Sequence, residues 1–355
     1  MNIRYALTGA VAAIALAAGS AHAAEEPVHQ FKMATGWAGG PLMDIGAKAF
    51  AERVNQLSNG RIEVQVFPGG ALGNALKVSE TVKHGVAEMG HTWMGYDWGK
   101  NTATVVLGGF AGSPNSEPML HWLYQGGGAE LQREFREQEF GVVSFPLFIR
   151  TAEVFLHSRK PVSTLEDLQG LKIRTAGAWL GMLEELGASP VTVPGGDVFP
   201  MLSRGAIDAT EWGTAWENID PGLHRVAKYV IVPGVHQPVA PFELVINMDA
   251  WNSLSAEDQR AVELAAKLTT LESWLRIGVE DAKALEFFRS QGNEVIELSD
   301  EVQVKARQIA VDWARKEADE NEWFDRLWTS QREFMELWRG GEITRNVVDV
   351  AAGLD

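Results

Sequence analysis

The chain has 355 residues, no cysteine, 13 tryptophans and a formal charge of −16. The missing thiol excludes disulfides, thiolate metal sites and a cysteine nucleophile, and the acidic balance argues against nucleic acid or anionic lipid as a partner, since both need a basic face. A length above 300 residues suggests about two domains, with cores that need no crosslinks.

The first elements read as an export signal. Arg4 supplies the positive end, residues 6–18 are apolar and small, and Ala21-His22-Ala23 gives an A-x-A cleavage pattern. The apolar run is too short for a comfortable bilayer span, so the mature chain is expected to begin near Ala24, in the periplasm, with a charge of −17 once Arg4 is lost.

Residues 29–34 alternate as a strand, and a glycine-rich loop follows at 36–41. Residues 42–58 carry Ile45, Phe50, Val54 and Leu57 at helical spacing, closed by Asn59-Gly60. Strand 62–67, helix 75–85 and strand 87–92 complete a β-α-β-α-β order, which implies a parallel sheet covered by helices. A second set begins near Val142, with strands at 142–149, 154–157, 171–174, 188–193 and 206–211 and helices at 178–186 and 197–203. The last third reads as three long helices, the first capped by Ser255 and running through Phe288, then 300–321 and 323–338. The expected architecture is α/β, two-lobed and periplasmic-binding-protein-like, with a ligand cleft between the lobes and bracing C-terminal helices. Its expected parts are a signal peptide at 1–23, lobe I at 24–150 plus about 236–275, lobe II at 151–235 plus about 276–300, and C-terminal helices at 301–355.

Three places stand out for chemistry. Arg174 ends a strand, where ligands of open α/β sheets sit, and its planar fork suits a carboxylate; taken alone, it also fits an ordinary ion pair. Residues 204–212 (RGAIDATEW) deliver Glu211 and Trp212 together at a strand end, a pairing that fits a cleft or an edge strand with a packing indole. Glu243 precedes an apolar strand, and with Glu211 it could share Na⁺ or Ca²⁺ through oxygen ligands, or be an unrelated carboxylate.

The runs 170–174 (GLKIR), 186–191 (LGASPV), 194–200 (PGGDVFP), 204–212, 222–229 (GLHRVAKY) and 122–128 (WLYQGGG) together resemble the DctP-type solute receptors of TRAP (tripartite ATP-independent periplasmic) transporters. The resemblance runs from about His29 to beyond Asp258. It implies a receptor that closes on a small organic acid and hands it to the membrane subunits of the transporter, with Arg174 on the ligand carboxylate. Glu211-Trp212 further resembles the branch that binds 2-oxo and 2-hydroxy acids. That branch implies a bridging cation, Na⁺ or Ca²⁺, held by Glu211, the Trp212 carbonyl and Glu243. Where the branch carries a glutamine, this chain has Glu153. In the cleft, Glu153 would add an anionic metal ligand and favour Ca²⁺, or a less acidic ligand. A register shifted by a few residues would put Arg150 there and favour a dicarboxylate or sulfonate.

Trp37, Tyr96, Trp98 and Trp179 lie on loops or helix starts that would face the cleft and wall the ligand. The eight histidines show no metal-ligand spacing, which predicts no zinc. Trp323, Leu327, Phe334 and Trp338 share one helix face, which is either docked on the body or a homodimer contact. No nucleophile elbow, phosphate loop or dinucleotide fingerprint is present, so a receptor is expected rather than an enzyme. The rivals are an exported hydrolase using Glu211 and Glu243 as acid and base, and a sensory receptor, whose soluble chain would look the same.

Overall fold

The computed structural model describes residues 28–193 and 195–345; the expected signal peptide lies outside them. Two sheets organise the chain. The first contains β1 (His29–Thr35), β2 (Ile62–Phe67), β3 (Met89–Thr92), β4 (Val142–Arg150) and β10 (Ala240–Asn247), in the order β2-β1-β3-β10-β4. The second contains β5 (Leu156–Ser158), β6 (Lys172–Arg174), β7 (Ser189–Val191), β8 (Ala209–Thr210), β9 (Tyr229–Val232) and β11 (Glu294–Glu297), in the order β11-β9-β5-β8-β6-β7. β1 pairs in parallel with both β2 and β3, as the β-α-β-α-β reading requires, while β10 enters antiparallel between β3 and β4.

The helices, in chain order, are α1 (Ala49–Leu57), α2 (Val78–Lys83), α3 (Thr104–Gly108), α4 (Ser116–Gln125), α5 (Gly128–Phe135), α6 (Trp179–Glu185), α7 (Gly195–Arg204), α8 (Met248–Ser253), α9 (Ala256–Ser290), α10 (Asp300–Glu320), α11 (Glu322–Gly340) and α12 (Glu342–Arg345). The expected helix at 42–58 begins as a π-helical turn, Leu42–Lys48, before α1. α4, α5, β9 and β11 were not legible as elements in the sequence.

The chain passes between the sheets three times. It crosses after β4, crosses back between β9 and β10, and runs the length of α9, which at 35 residues is about 50 Å long. Ser255 caps α9 by accepting from the Asp258 amide at 3.1 Å. Along α9 the buried residues join successive cores. Val262, Ala265 and Ala266 lie under the first sheet with Val143 and Leu244. Ile277 meets Phe148 and Phe242 at the middle. Ala284 and Phe288 pack with Val154 and Val230 of the second half. Small residues on the helix let β4 approach closely.

α10 and α11 brace both halves. Asn321 caps α11 and also donates to Asn101 and Thr102. The aromatic face of α11 meets the chain's own body: Leu327 is buried, Trp323 sits 5.3 Å from Phe135 and Trp338 lies 4.4 Å from His121. Phe334 packs beside Gly126, so closely that a Cβ there would clash with its ring.

Candidate functional site

β4 ends at Arg150 and the first crossover follows, so Arg150, Glu153 and the returning strand with His236 converge where the sheets meet. Glu153 and Gly234 form a bridge between the two crossing strands, with the Gly234 amide donating to the Glu153 carbonyl at 2.8 Å. Gly234 is required here because a Cβ would sit 2.4 Å from that carbonyl. Arg150 is buried over the Phe242 ring at 5.0 Å and donates to both Glu153 and Glu217. Arg150 and Glu153 are both buried and form an ion pair, with Glu217 as a second partner of Arg150.

His236 completes the group. Its Nε2 lies 2.9 Å from Glu153 Oε2, and its ring sits 5.7 Å from both Phe155 and Trp179. Arg174, at the end of β6, reaches Glu211 at 3.3 Å and the Val193 carbonyl at 3.4 Å, with its guanidinium 5.5 Å from the Trp212 ring. One ligand atom each from Glu153, Glu211 and His236 lie within 4.8 Å of one another. Donors around one ion at 2.3–2.6 Å are separated by at most about 5 Å, so the three fit a single cation. His236 Nδ1 is buried without a hydrogen-bond partner.

The electrostatics match. Burial alone would raise Glu153, but Arg150 and then His236 outweigh it and hold its carboxyl below the usual range. Burial raises Glu211 despite Arg174, and raises Glu217 despite Arg150. Counted as ionised, Glu153, Glu211 and Glu217 would outnumber Arg150 and Arg174 by one charge, and Asp281, which accepts from Thr151 Oγ1 at 2.7 Å, would add another. Excess negative charge in a buried site favours protons or a cation.

The other expected site residues fall at different depths. Tyr96 is half-buried and lies within electrostatic reach of Arg150, Arg174, Glu211 and Glu153; burial raises its phenol. Trp179, Trp98 and His236 line one narrow cavity of about 30 Å³, and Trp98 remains 40% exposed. Trp37 is one ring removed, packed on His91 at 4.6 Å and on Phe242 at 5.5 Å.

Glu243 is the correction. It sits inside β10, paired with Thr92 of β3, and is fully buried. Its carboxylate accepts from Arg136 at 2.6 and 3.0 Å and from Ser144 at 2.7 Å, while Arg136 also binds Asp97 at 2.9 Å. Strand alternation turns this side chain into the core, where a buried arginine neutralises it. His236 stands with Glu153 and Glu211 instead, although histidine spacing gave no such signal. Its place on the return crossover, just after Pro233-Gly234, is the feature that marks it. Glu217 was missed for the same reason, since only the fold brings it to Arg150.

Residues 33–320 match the family model described as DctP, bacterial extracellular solute-binding protein, family 7. The chain belongs to this family. It is a DctP-type TRAP solute-binding protein, a receptor rather than an enzyme, homologous to members of the branch that binds 2-oxo and hydroxy acids. As a member of this family it works outside the cytoplasm as a solute receptor. The monocarboxylate 2-oxoacid-binding periplasmic protein of Nostoc sp. is 29% identical over 309 residues, 87% of this chain and 84% of that protein. A TRAP solute-binding protein from Bordetella bronchiseptica, solved with copurified calcium and picolinate in its active site, is 26% identical with a TM-score of 0.83, covering 90% of this chain and 96% of that one. Another from Pseudoalteromonas atlantica, with bound sodium and pyruvate, is 26% identical with a TM-score of 0.80, covering 88% and 95%.

Proposed function

We propose that this receptor captures a small 2-oxo or 2-hydroxy monocarboxylate, with Arg174 on the carboxylate and a bridging cation, Na⁺ or Ca²⁺, held by Glu153, Glu211 and the Trp212 carbonyl, with His236 as a further donor. The observation that carries this reading is the convergence of Glu153, Glu211 and His236 donor atoms within 4.8 Å, beside the loosely bonded Arg174. A bound monoanion deepens the local negative charge, and a cation relieves it. The ligands named for the Nostoc, Bordetella and Pseudoalteromonas relatives, a 2-oxoacid, picolinate with calcium and pyruvate with sodium, support the same chemistry. A dicarboxylate or sulfonate fits less well, because Arg150 already faces two carboxylates.

On this reading Tyr96, Trp98, Trp179 and Trp212 exclude water from the ligand. Trp37 supports the floor beneath Arg150. The two sheets are the lobes, which hinge at the crossovers and along α9, and the leader is cleaved after Ala23. The test is the thermal shift of the mature chain with pyruvate, lactate, succinate and a small sulfonate, each with calcium, sodium or chelator. Stabilisation by pyruvate or lactate that vanishes with chelator supports the reading. Stabilisation by succinate or sulfonate alone, indifferent to cations, overturns it.

A further inference from the structure

A second cavity of about 760 Å³ lies behind the crossover strands. Ala152, Gly234 and Val235 form part of its wall, whereas Glu153 and His236 belong to the site above. Glu153 and His236 are absent from the lining of this cavity although their neighbours Ala152 and Val235 belong to it, so it is a space distinct from the one where Glu153 and His236 meet. The remaining walls are residues 112–115, the start of α4 and helices α10 to α12.

The chemistry of this cavity runs against the composition of the chain. Arg307, Arg332, Arg339 and Arg345 line it, with Glu117 and Glu342 as the acids among its lining residues. Among the described residues none of these four arginines lies within ion-pair distance of a carboxylate, although Arg150, Arg174, Arg315 and Arg326 elsewhere do. They are held ready by other contacts. Arg332 lies over Trp328 at 4.7 Å, Arg345 over Trp338 at 3.8 Å, and Arg307 donates to the Ser113 carbonyl at 3.1 Å. Burial, and then the neighbouring Arg339 charge, lower the pKa of Arg307. Gln331 also lines the space at 2% exposure, its amide nitrogen reaching only Met119 Sδ at 3.5 Å.

We propose that this cavity is a second binding site, for a compact anion carrying two or more negative charges, of the polycarboxylate or phosphate class. Its volume lies in the range of small-molecule sites, about 300–1,000 Å³. Guanidinium forks match both carboxylate and phosphate oxygens, and an anion here would relieve the repulsion among like charges.

The test is calorimetric titration of citrate, and separately of inorganic phosphate, into the mature chain at low ionic strength. It uses two backgrounds, Arg174→Ala, which removes the cleft arginine, and Arg332→Gln/Arg339→Gln. Arg332 and Arg339 are exposed, so circular dichroism should show the fold intact. The expected result is that the Arg174→Ala protein still binds one anion, and that the double variant binds it at least about tenfold more weakly while its cleft binds pyruvate as wild type does. The tighter of the two probes tells carboxylate from phosphate. Loss of citrate and phosphate binding in Arg174→Ala, or undiminished binding in the double variant, would overturn the proposal.

Discussion

Replacing Arg174 with alanine should cripple ligand capture while leaving the fold intact. Its guanidinium carries five donors, yet its two protein contacts, to Glu211 at 3.3 Å and Val193 at 3.4 Å, are both at the long limit. A ligand carboxylate therefore meets a fork that is positioned but largely unused. Losing one partner of a desolvated charge pair costs about 2–5 kcal/mol, or roughly 30-fold to 4,000-fold in Kd. The structure points toward the upper part of that range. Without Arg174, burial pushes the Glu211 carboxyl further up, and a proton then competes with the cation for the same oxygen. The double variant Arg174→Ala/Glu211→Gln separates the effects, since it should regain stability but not affinity. Isothermal titration of pyruvate in calcium buffer provides the readout, with Arg174→Lys expected between wild type and alanine because the bidentate fork is lost. A folded Arg174→Ala protein binding pyruvate within about threefold of wild type would refute the argument.

Further consequences follow from the two carboxylate networks. Glu211→Gln should abolish the calcium dependence of pyruvate binding, whereas Glu243→Gln should leave it unchanged; titrations with and without chelator distinguish them. Arg136→Leu strands Glu243 and Asp97 in the core and should cost about 3–5 kcal/mol in urea unfolding. Burial pushes Glu243 up to about 7 from the ordinary 4.5, although Arg136 opposes it. Between those values the native state holds the extra proton, so this group's contribution to stability falls as pH rises through the window. Unfolding curves at pH 5 and pH 8 should show that fall, and Glu243→Gln should flatten it. Because Glu211 is also raised, its protonation should exclude the cation, so calcium-dependent affinity should weaken from pH 8 to pH 5 in pyruvate titrations.

What the sequence disclosed depended on whether the determining partner was near in the chain. Ser255 and the following acids mark the start of α9 locally, and the glycine-rich punctuation of the first half marks a parallel βαβ order. Arg174 and Glu211-Trp212 could be singled out because each lies at or just past the end of its own strand. Glu243 was misread because its partner Arg136 is 107 residues away; before an apolar strand, a glutamate aimed at a cleft and one aimed at a core look alike. His236 was invisible because it meets Glu153 across 83 residues, and only the pairing of the two crossover strands brings them together. β9 and β11 are four residues each, too short for alternation to declare itself.

The most direct test is to titrate pyruvate into wild-type protein stripped with chelator, and then into the same preparation reloaded with calcium. Tight binding that returns only with calcium is the predicted result. Equal affinity in both preparations would contradict the cation-bridged site at Glu153, Glu211 and His236.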